Sequence, residues 1–374
     1  MKVPFIDIKP QAALVRAPVL ERWAQTAESA AFLGGPAIDQ LEHALASCLG
    51  VEHVVTCGSG SAALLLGLQA LGVGAGAKVA LPNLTFWATY EAVVRLGATP
   101  VLIDVDQDDL QMDLDELDLA TRRIGIDAVI LVHLMGWATP RLEEFRRFCA
   151  NRGIALLEDG AQSFGVEVDG QPVYRGAQVS TLSFFPAKVI GGCMDGGAVA
   201  TDDPERAELL RKLRNHGRSS HYGYDHIGWN SRMSVLQASW LLEMLEHREM
   251  IVAQRRFMHD RTLELLERHG QRVRRHGPPR GVRGNGYLSV CELTRHSPEA
   301  VANKMAEYGV STGKVYPSTM DAQAPAAGAL RVSDLSRGRE FCQRVINLPL
   351  YYGMTDQEHA WAHEAFSAAL AADG

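Results

Sequence analysis

The sequence predicts an α/β protein, with a large domain built on a mostly parallel mixed sheet and a smaller C-terminal α+β domain. Three observations carry that reading. From about residue 40 to 200, amphipathic segments alternate with short apolar runs rich in β-branched residues. Near residues 179–201 two such runs follow each other with little between them. Beyond Pro204, long helical patterns give way at residues 271–285 to a stretch rich in Gly, Pro and Arg. The 374 residues suffice for both units. The division is expected at residues 1–250, including an N-terminal arm, and 251–374.

The elements follow in order. Leu41 to Leu49 reads as a helix, Val51 to Thr56 as a strand and Ser61 to Leu71 as a helix. Lys78 to Leu81 is a strand, Phe86 to Leu96 a helix, and Pro100 to Val105 and Ala128 to Leu134 are strands. Pro140 to Asn151 is helical and Ile154 to Glu158 extended. Repeated β-α-β units with short polar links call for a parallel sheet covered on both faces. The closely spaced strands Val179–Phe185 and Ala198–Thr201 put an antiparallel member into it. A helix from Glu205 to Asn215 leads to a loop at 216–229 rich in Gly, His and Tyr, and one long helix is expected from Val235 to Arg256 and beyond.

Composition narrows the function classes. The formal charge of −7 is spread along the chain, with 47% hydrophobic and 22% charged residues. A nucleic-acid surface calls for a concentrated basic face, and the short Arg272–Arg283 cluster, broken by Gly and Pro, reads as a solvated loop. Six scattered cysteines without a Cys-x-x-Cys pair argue against a zinc site or a disulfide framework and for reduced thiols. The longest apolar stretch, Ala128 to Ala138, is interrupted by His133 and too short for a bilayer. Asp7 and Lys9 follow Met1–Phe5 too closely for a signal segment. A cytoplasmic protein without membrane or nucleic-acid partners is expected.

Parallel α/β sheets gather ligands at the carboxyl ends of their strands. Three features fall there. Cys57-Gly58-Ser59-Gly60-Ser61-Ala62-Ala63 is a strand-to-helix turn in which Ser61 can cap the helix. It serves either as a plain cap or as a phosphate seat. Leu156-Leu157-Glu158-Asp159-Gly160-Ala161-Gln162 ends a buried strand in acid; Asp159 either caps the next helix or keeps a pyridine nitrogen protonated. Ser183-Phe184-Phe185-Pro186-Ala187-Lys188 precedes a glycine-rich return, Gly191-Gly192 and Asp195-Gly196-Gly197-Ala198. A lysine there is poorly placed for a solvated role, whereas a Schiff-base lysine needs partial desolvation.

Taken in order, Gly-Ser-Ala-Ala-Leu, Glu-Asp-x-Ala-Gln, Ser-x-x-x-x-Lys, Asp-Gly-Gly-Ala and Gly-x-Asn-x-Arg resemble the DegT/StrS-type sugar aminotransferases. The likeness runs from Phe5-Ile6-Asp7 through Leu33-Gly34-Gly35-Pro36 to Leu348-Pro349. The resemblance implies the fold-type I aminotransferase fold, pyridoxal 5'-phosphate as cofactor, and homodimers whose active sites draw on both subunits. By motif, Lys188 would hold the cofactor as a Schiff base and act as general base once freed. Asp159 would pair with the pyridine nitrogen, and Gln162 would lie near the ring's hydroxyl edge. Gly60, Ser61, Ala62 and Ser183 would form the phosphate cup. Phe86 would stack on the ring, unless it is a core Phe at a helix start. Asn230 would reach the phosphate from the partner subunit.

Relatives that deoxygenate sugars carry histidine in place of the lysine, so Lys188 implies transamination. The strings Glu-Asp-x-Ala-Gln-Ser-Phe-Gly, Ser-Phe-Phe-Pro-x-Lys and Gly-x-Asn-Ser-Arg are similar to enzymes that aminate C3 of UDP-2-acetamido-3-keto sugars for lipopolysaccharide. L-Glutamate is the donor this implies. A dTDP- or GDP-linked 4-keto sugar is the alternative substrate, and a non-catalytic regulator of the same fold the alternative class. Arg232 meets a substrate carboxylate or forms a structural ion pair; Lys314 neutralises a diphosphate or is an exposed loop lysine. Tyr316 opens Tyr316-Pro317-Ser318-Thr319-Met320-Asp321, where many relatives have Tyr-Pro-x-Pro-Leu-His. Leu348-Pro349-Leu350-Tyr351-Tyr352 replaces Leu-Pro-Leu-His-Pro, and Gly160 stands where alanine is common.

Overall fold

A computed structural model describes residues 1–372. The chain opens with α1 (Lys9–Ser29) and α2 (Pro36–Leu49), then β1 (His53–Cys57) and α3 (Gly60–Ala70). There follow β2 (Lys78–Pro82), α4 (Trp87–Arg95), β3 (Thr99–Ile103), α5 (Leu114–Ile124), β4 (Ala128–Val132), α6 (Leu142–Arg152) and β5 (Ala155–Asp159). After a short pair, β6 (Glu167–Val168) and β7 (Gln171–Pro172), come β8 (Val179–Ser183), β9 (Gly197–Thr201) and α7 (Pro204–Leu213).

Most of the expected elements are present within a few residues, and the differences have physical causes. α1 lies outside the expected elements: only Gln11, Val15, Val19 and Thr26 of its 21 residues are buried, so its sequence carries little amphipathic signal. Its partner makes it, through a Trp23–Trp240 stack at 6.2 Å and a bond from Trp23 Nε1 to the Leu236 carbonyl. α5 is likewise additional to the expected elements, and Asp113 caps it by accepting from the amides of Asp115 and Glu116.

The long helix expected from Val235 is two, α8 (Val235–Glu246) and α9 (Arg248–Glu267), broken at His247 with φ −101° and ψ 3°. Neither Gly nor Pro marks the break. Tertiary packing imposes it, since α8 lies on α1 and α2 whereas α9 turns to β10 (Val273–His276). The remaining elements are β11 (Val282–Arg283), β12 (Val290–Leu293), α10 (Pro298–Glu307), β13 (Leu330–Arg331), α11 (Ser336–Arg344), β14 (Val345–Ile346) and α12 (Asp356–Ala372).

The large sheet has the order β1-β9-β8-β5-β4-β2-β3-β13. Its central pairings are parallel, while β9 runs antiparallel to both β1 and β8. Because β9 reverses twice, the carboxyl ends of β1 and β8 lie on the same edge of the sheet. Register then aligns Cys57 and Ser183, both opposite Gly197. Helices cover both faces over two apolar cores. A third core surrounds the sheet β10-β12-β14 and joins α10 and α12 to Val3, which bridges Val310. Among the described residues, no helix is long and apolar enough to cross a membrane.

Candidate active site

Strand alternation separates the two acids that end β5. Glu158 is fully buried and takes Arg146 Nε at 2.8 Å and Arg146 Nη2 at 3.0 Å, with His133 Nε2 at 3.1 Å. Burial pushes its carboxyl up, but His133 and Arg146 more than offset this and hold it below the usual range. Glu158 is thus a paired structural charge. Asp159 points the other way. It is 5% exposed and accepts from the Ala161 amide at 3.0 Å, Thr89 Oγ1 at 3.3 Å and Thr181 Oγ1 at 3.5 Å. Burial raises its pKa, and the Ala161 amide and Lys188 offset that only in part. A carboxylate so placed is short of positive charge.

Lys188 stands after the β8 strand end on a turn closed by its amide to the Phe185 carbonyl at 2.8 Å. Its Nζ lies 3.4 Å from the Tyr287 hydroxyl. The return loop packs too tightly for side chains: a Cβ on Gly191 would lie 2.2 Å from the Pro186 carbonyl oxygen, and one on Gly192 1.9 Å from Gln237 Nε2. The first turn of α3 faces the same edge. A Cβ on Gly60 would lie 2.7 Å from Ser183 Cβ, so the absence of one lets the helix start close against β8. The cap differs from expectation. Ser59, with extended backbone, accepts from the Ala62 amide at 3.1 Å, which leaves the Ser61 hydroxyl free of that duty.

Gln162 bridges β5 to the C-terminal part of the chain, accepting from the Met135 amide at 2.6 Å and donating to the Tyr316 hydroxyl at 2.9 Å. Burial pushes the Tyr316 phenol up. Phe86 precedes α4 with 60% of its surface exposed, so it is not a core residue. Gly60, Ser61, Ala62, Asp159, Gln162, Ser183 and Lys188 therefore share one sheet edge, with Tyr316 against Gln162.

Asn230, Arg232 and Lys314 bond to other residues, although Ser231, between the first two, accepts from the Gly58 amide at 3.1 Å at the end of β1. Asn230 and Arg232 are exposed and bonded to each other at 2.8 Å, with Arg232 also on Asn215 Oδ1 at 3.1 Å. Arg232 is thus held by amides instead of the carboxylate expected of a structural ion pair. Lys314 pairs with Glu299 at 2.7 Å. Asp321, in place of the relatives' histidine, accepts from Asn83 Nδ2 at 2.9 Å and Arg339 Nε at 3.0 Å, pinning its segment to the end of β2. Tyr351 is buried in the third core. Gly160 is explained by Tyr174, whose ring atom Cε1 would lie 2.4 Å from a Cβ there. The sequence did not single out Thr89, Thr181 or Tyr287. Thr89 has a local signal, one helical turn after Phe86, whereas Tyr287 comes from the far end of the chain.

Residues 15–366 match the profile of the DegT/DnrJ/EryC1/StrS aminotransferase family. The chain belongs to that family. It is a pyridoxal-phosphate-dependent sugar aminotransferase of the fold-type I architecture. It is 37% identical to a UDP-N-acetyl-3-dehydro-α-D-glucosamine 3-aminotransferase of Acidithiobacillus ferrooxidans over 66% of each chain. It is 31% identical to the UDP-2-acetamido-2-deoxy-3-oxo-D-glucuronate aminotransferase of Pseudomonas aeruginosa over 93% of this chain and 95% of that one. A dTDP-3-amino-3,4,6-trideoxy-α-D-glucose transaminase of Streptomyces venezuelae is 36% identical over 66% of this chain and 64% of its own. Among solved structures, a family aminotransferase from Brucella abortus superposes with TM-score 0.92 at 28% identity, covering 97% and 98% of the two chains. A Bacillus subtilis protein solved with bound PMP gives 0.91 at 25% identity, covering 99% and 85%.

The residues of the aminotransferase fit its cofactor. The buried Asp159 is short of a positive partner, as a pyridine nitrogen that must stay protonated requires. The start of α3, where Gly60 packs against Ser183 without a side chain, suits a phosphate. An exposed aromatic ring and a half-buried lysine complete the donor set.

Proposed function

We propose that this aminotransferase transfers the amino group of L-glutamate to C3 of a UDP-linked 2-acetamido-3-keto-hexose, in the cytoplasm and for lipopolysaccharide synthesis. The observation that carries the catalytic assignment is the convergence of Lys188, the buried carboxylate of Asp159 that lacks a cationic partner, and Ser183 with Gly60 on one sheet edge. The C3 assignment is supported by the printed activities of the Acidithiobacillus and Pseudomonas relatives.

Pyridoxal phosphate, when bound, supplies an aldehyde carbon that takes up an amine and a ring that accepts electron density from the donor's Cα. Lys188 is assigned to hold it and, once displaced, to take the proton from Cα at Nζ. Asp159 holds the proton of the ring nitrogen, a preorganised charge worth several kcal/mol in a water-poor site. Gly60, Ser61, Ala62 and Ser183 bind the phosphate, Phe86 covers the ring, and Gln162, held by Met135 and Tyr316, fixes its edge. Asn230 contributes across a homodimer. Arg232 is offered to a substrate carboxylate. Lys314, tied to Glu299, would have to leave that pair to meet a diphosphate.

Purified protein given pyridoxal phosphate should show a visible absorbance band that bleaches with L-glutamate. A protein without that band does not have this function. Incubation of the glutamate-treated enzyme with a UDP-2-acetamido-3-keto sugar and with dTDP- or GDP-linked keto sugars decides the substrate. The second reading, a dTDP-linked keto sugar, is favoured by the Streptomyces relative, and amination of that class alone would establish it.

A further inference from the structure

Tyr287 is the hydrogen-bond partner of Lys188 Nζ, at 3.4 Å, with Nζ 5.1 Å from the centre of its ring. The bond is long, as contacts between reacting groups commonly are before substrate binds. What distinguishes it is how firmly the backbone of Tyr287 is held. Asn285 is fully buried; its Oδ1 accepts from the Tyr287 amide at 2.9 Å, and its Nδ2 donates to the carbonyls of Gln162 at 2.8 Å and Phe164 at 3.0 Å. The residue that aims Tyr287 is therefore bonded to the backbone of Gln162, three residues from Asp159.

From the other side, Arg255 Nη2 donates to the Tyr287 carbonyl at 3.0 Å. Arg255 is 5% exposed, its Nε has no hydrogen-bond partner, and burial lowers its pKa to about 10. A guanidinium buried on those terms is costly, and it fastens this one loop. Gly286 adopts φ +67° with the Arg255 carbonyl oxygen 2.5 Å from where a Cβ would stand, and Gly136 leaves only 2.8 Å between its own Cβ position and Tyr287 Cβ. A ring that merely filled space would gain little from such fixing.

We propose that Tyr287 is a positioning residue for Lys188: its phenol oxygen accepts a hydrogen bond from Nζ and holds the freed amine where it takes and returns the Cα proton. The inference rests on the reading of Lys188 as the cofactor-holding lysine. A lysine side chain released at the end of its four-carbon stem has many rotamers to explore. Proton transfer needs one of them, and misplacement by about an ångström costs rate steeply. Tyr287 reaches the amine from a loop, residues 284–287, that belongs to neither strand end carrying Lys188 or Asp159.

The test is Tyr287→Phe, which keeps the ring and removes the oxygen. In the loaded enzyme, mixed rapidly with L-glutamate, the rate of bleaching at saturation should fall about tenfold or more, with the half-saturating concentration changed less than about twofold. The kinetic isotope effect with α-deuterated glutamate should rise, because proton transfer has become slower than the steps around it. Crystal structures of the cofactor-free proteins supply a readout independent of turnover. Nζ should lie against the phenol oxygen in the wild type and move by roughly an ångström, or spread over several rotamers, in the variant. Should the variant fold poorly, 3-fluorotyrosine at position 287, nearly the same size but a weaker acceptor, should give an intermediate rate. Unchanged rate, isotope effect and Nζ position in Tyr287→Phe would overturn the proposal while leaving Lys188 in place. Wild-type protein that takes up no pyridoxal phosphate overturns both.

Discussion

At Asp159 a carboxylate sits nearly dry, with one amide and two threonine hydroxyls as hydrogen-bond donors. Its neighbour Glu158, just as deeply buried, has Arg146 and His133. The contrast gives the two acids different expected phenotypes. Asp159→Asn preserves shape but holds no negative charge, so kcat should fall about a hundredfold or more with melting temperature little changed or raised. Glu158→Gln removes the buried partner of the half-buried Arg146 guanidinium, and its loss should be read in stability instead. Steady-state kinetics beside thermal melts separates the two. Gly160→Ala belongs to the same scale. The alanine common in relatives would press on the ring of Tyr174, so the substitution should destabilise by roughly 1–3 kcal/mol, measured by denaturant titration. Gly160→Ala combined with Tyr174→Phe tests whether the ring or the hydroxyl bound to the Gly160 carbonyl makes the conflict.

At the scale of elements, α9 and α12 share a set of buried histidines. His259 on α9 and His359 and His363 on α12 are held below the ordinary imidazole value of 6.5 by burial, at about 4, about 4 and about 3. His359 is bonded to Thr262 of α9 at 2.9 Å, which ties the two helices together. Because the folded-state values lie below the unfolded one, the unfolded chain binds more protons between pH 6.5 and the folded values. Stability contributed by keeping these rings neutral is therefore complete above about pH 6.5 and falls as pH drops through that window, by at most about 3 kcal/mol each for His259 and His359 and about 5 kcal/mol for His363. Thermal melts from pH 7.5 to 5 should show a steep decline. His363→Leu should flatten it, and an equal slope in that variant would assign the acid sensitivity to other groups.

At the scale of the whole molecule, exposed apolar side chains include Phe86 and Phe185 beside the site's strand ends, and Tyr222 and Ile227 in the loop that ends at Asn230. Ile227 is 88% exposed and Tyr222 83%, unusual for side chains of their size. The bonds of Asn230 stay with Arg232, in keeping with a role toward a second subunit. Lys188→Ala and Asn230→Ala should each be weak or inactive alone. On the proposed homodimer with shared sites, the two mixed and reassembled should recover about a quarter of wild-type activity, because each mixed dimer would have one site with both residues intact. No recovery would mean that Asn230 serves its own protomer or none.

The sequence by itself determined the sheet and its chemistry-bearing edge. Apolar β-branched runs have period and length enough to be read locally, and Asp159, Ser183 and Lys188 are local to strand ends. It also determined the family, because five short motifs in fixed order are jointly specific. It did not reveal α1, whose few buried residues gain their meaning from α8, nor the break at His247, which packing imposes on an unbroken helical pattern. Only tertiary structure chose Ser59 over Ser61 as the cap, since the choice depends on which serine has extended backbone. Only tertiary structure paired Lys314 with Glu299 and brought Tyr287 to Lys188. That last pair is separated by 99 positions. Neither residue carries any trace of the other in its local sequence, and their meeting is set by Asn285, Arg255 and two glycines that have no room for a side chain.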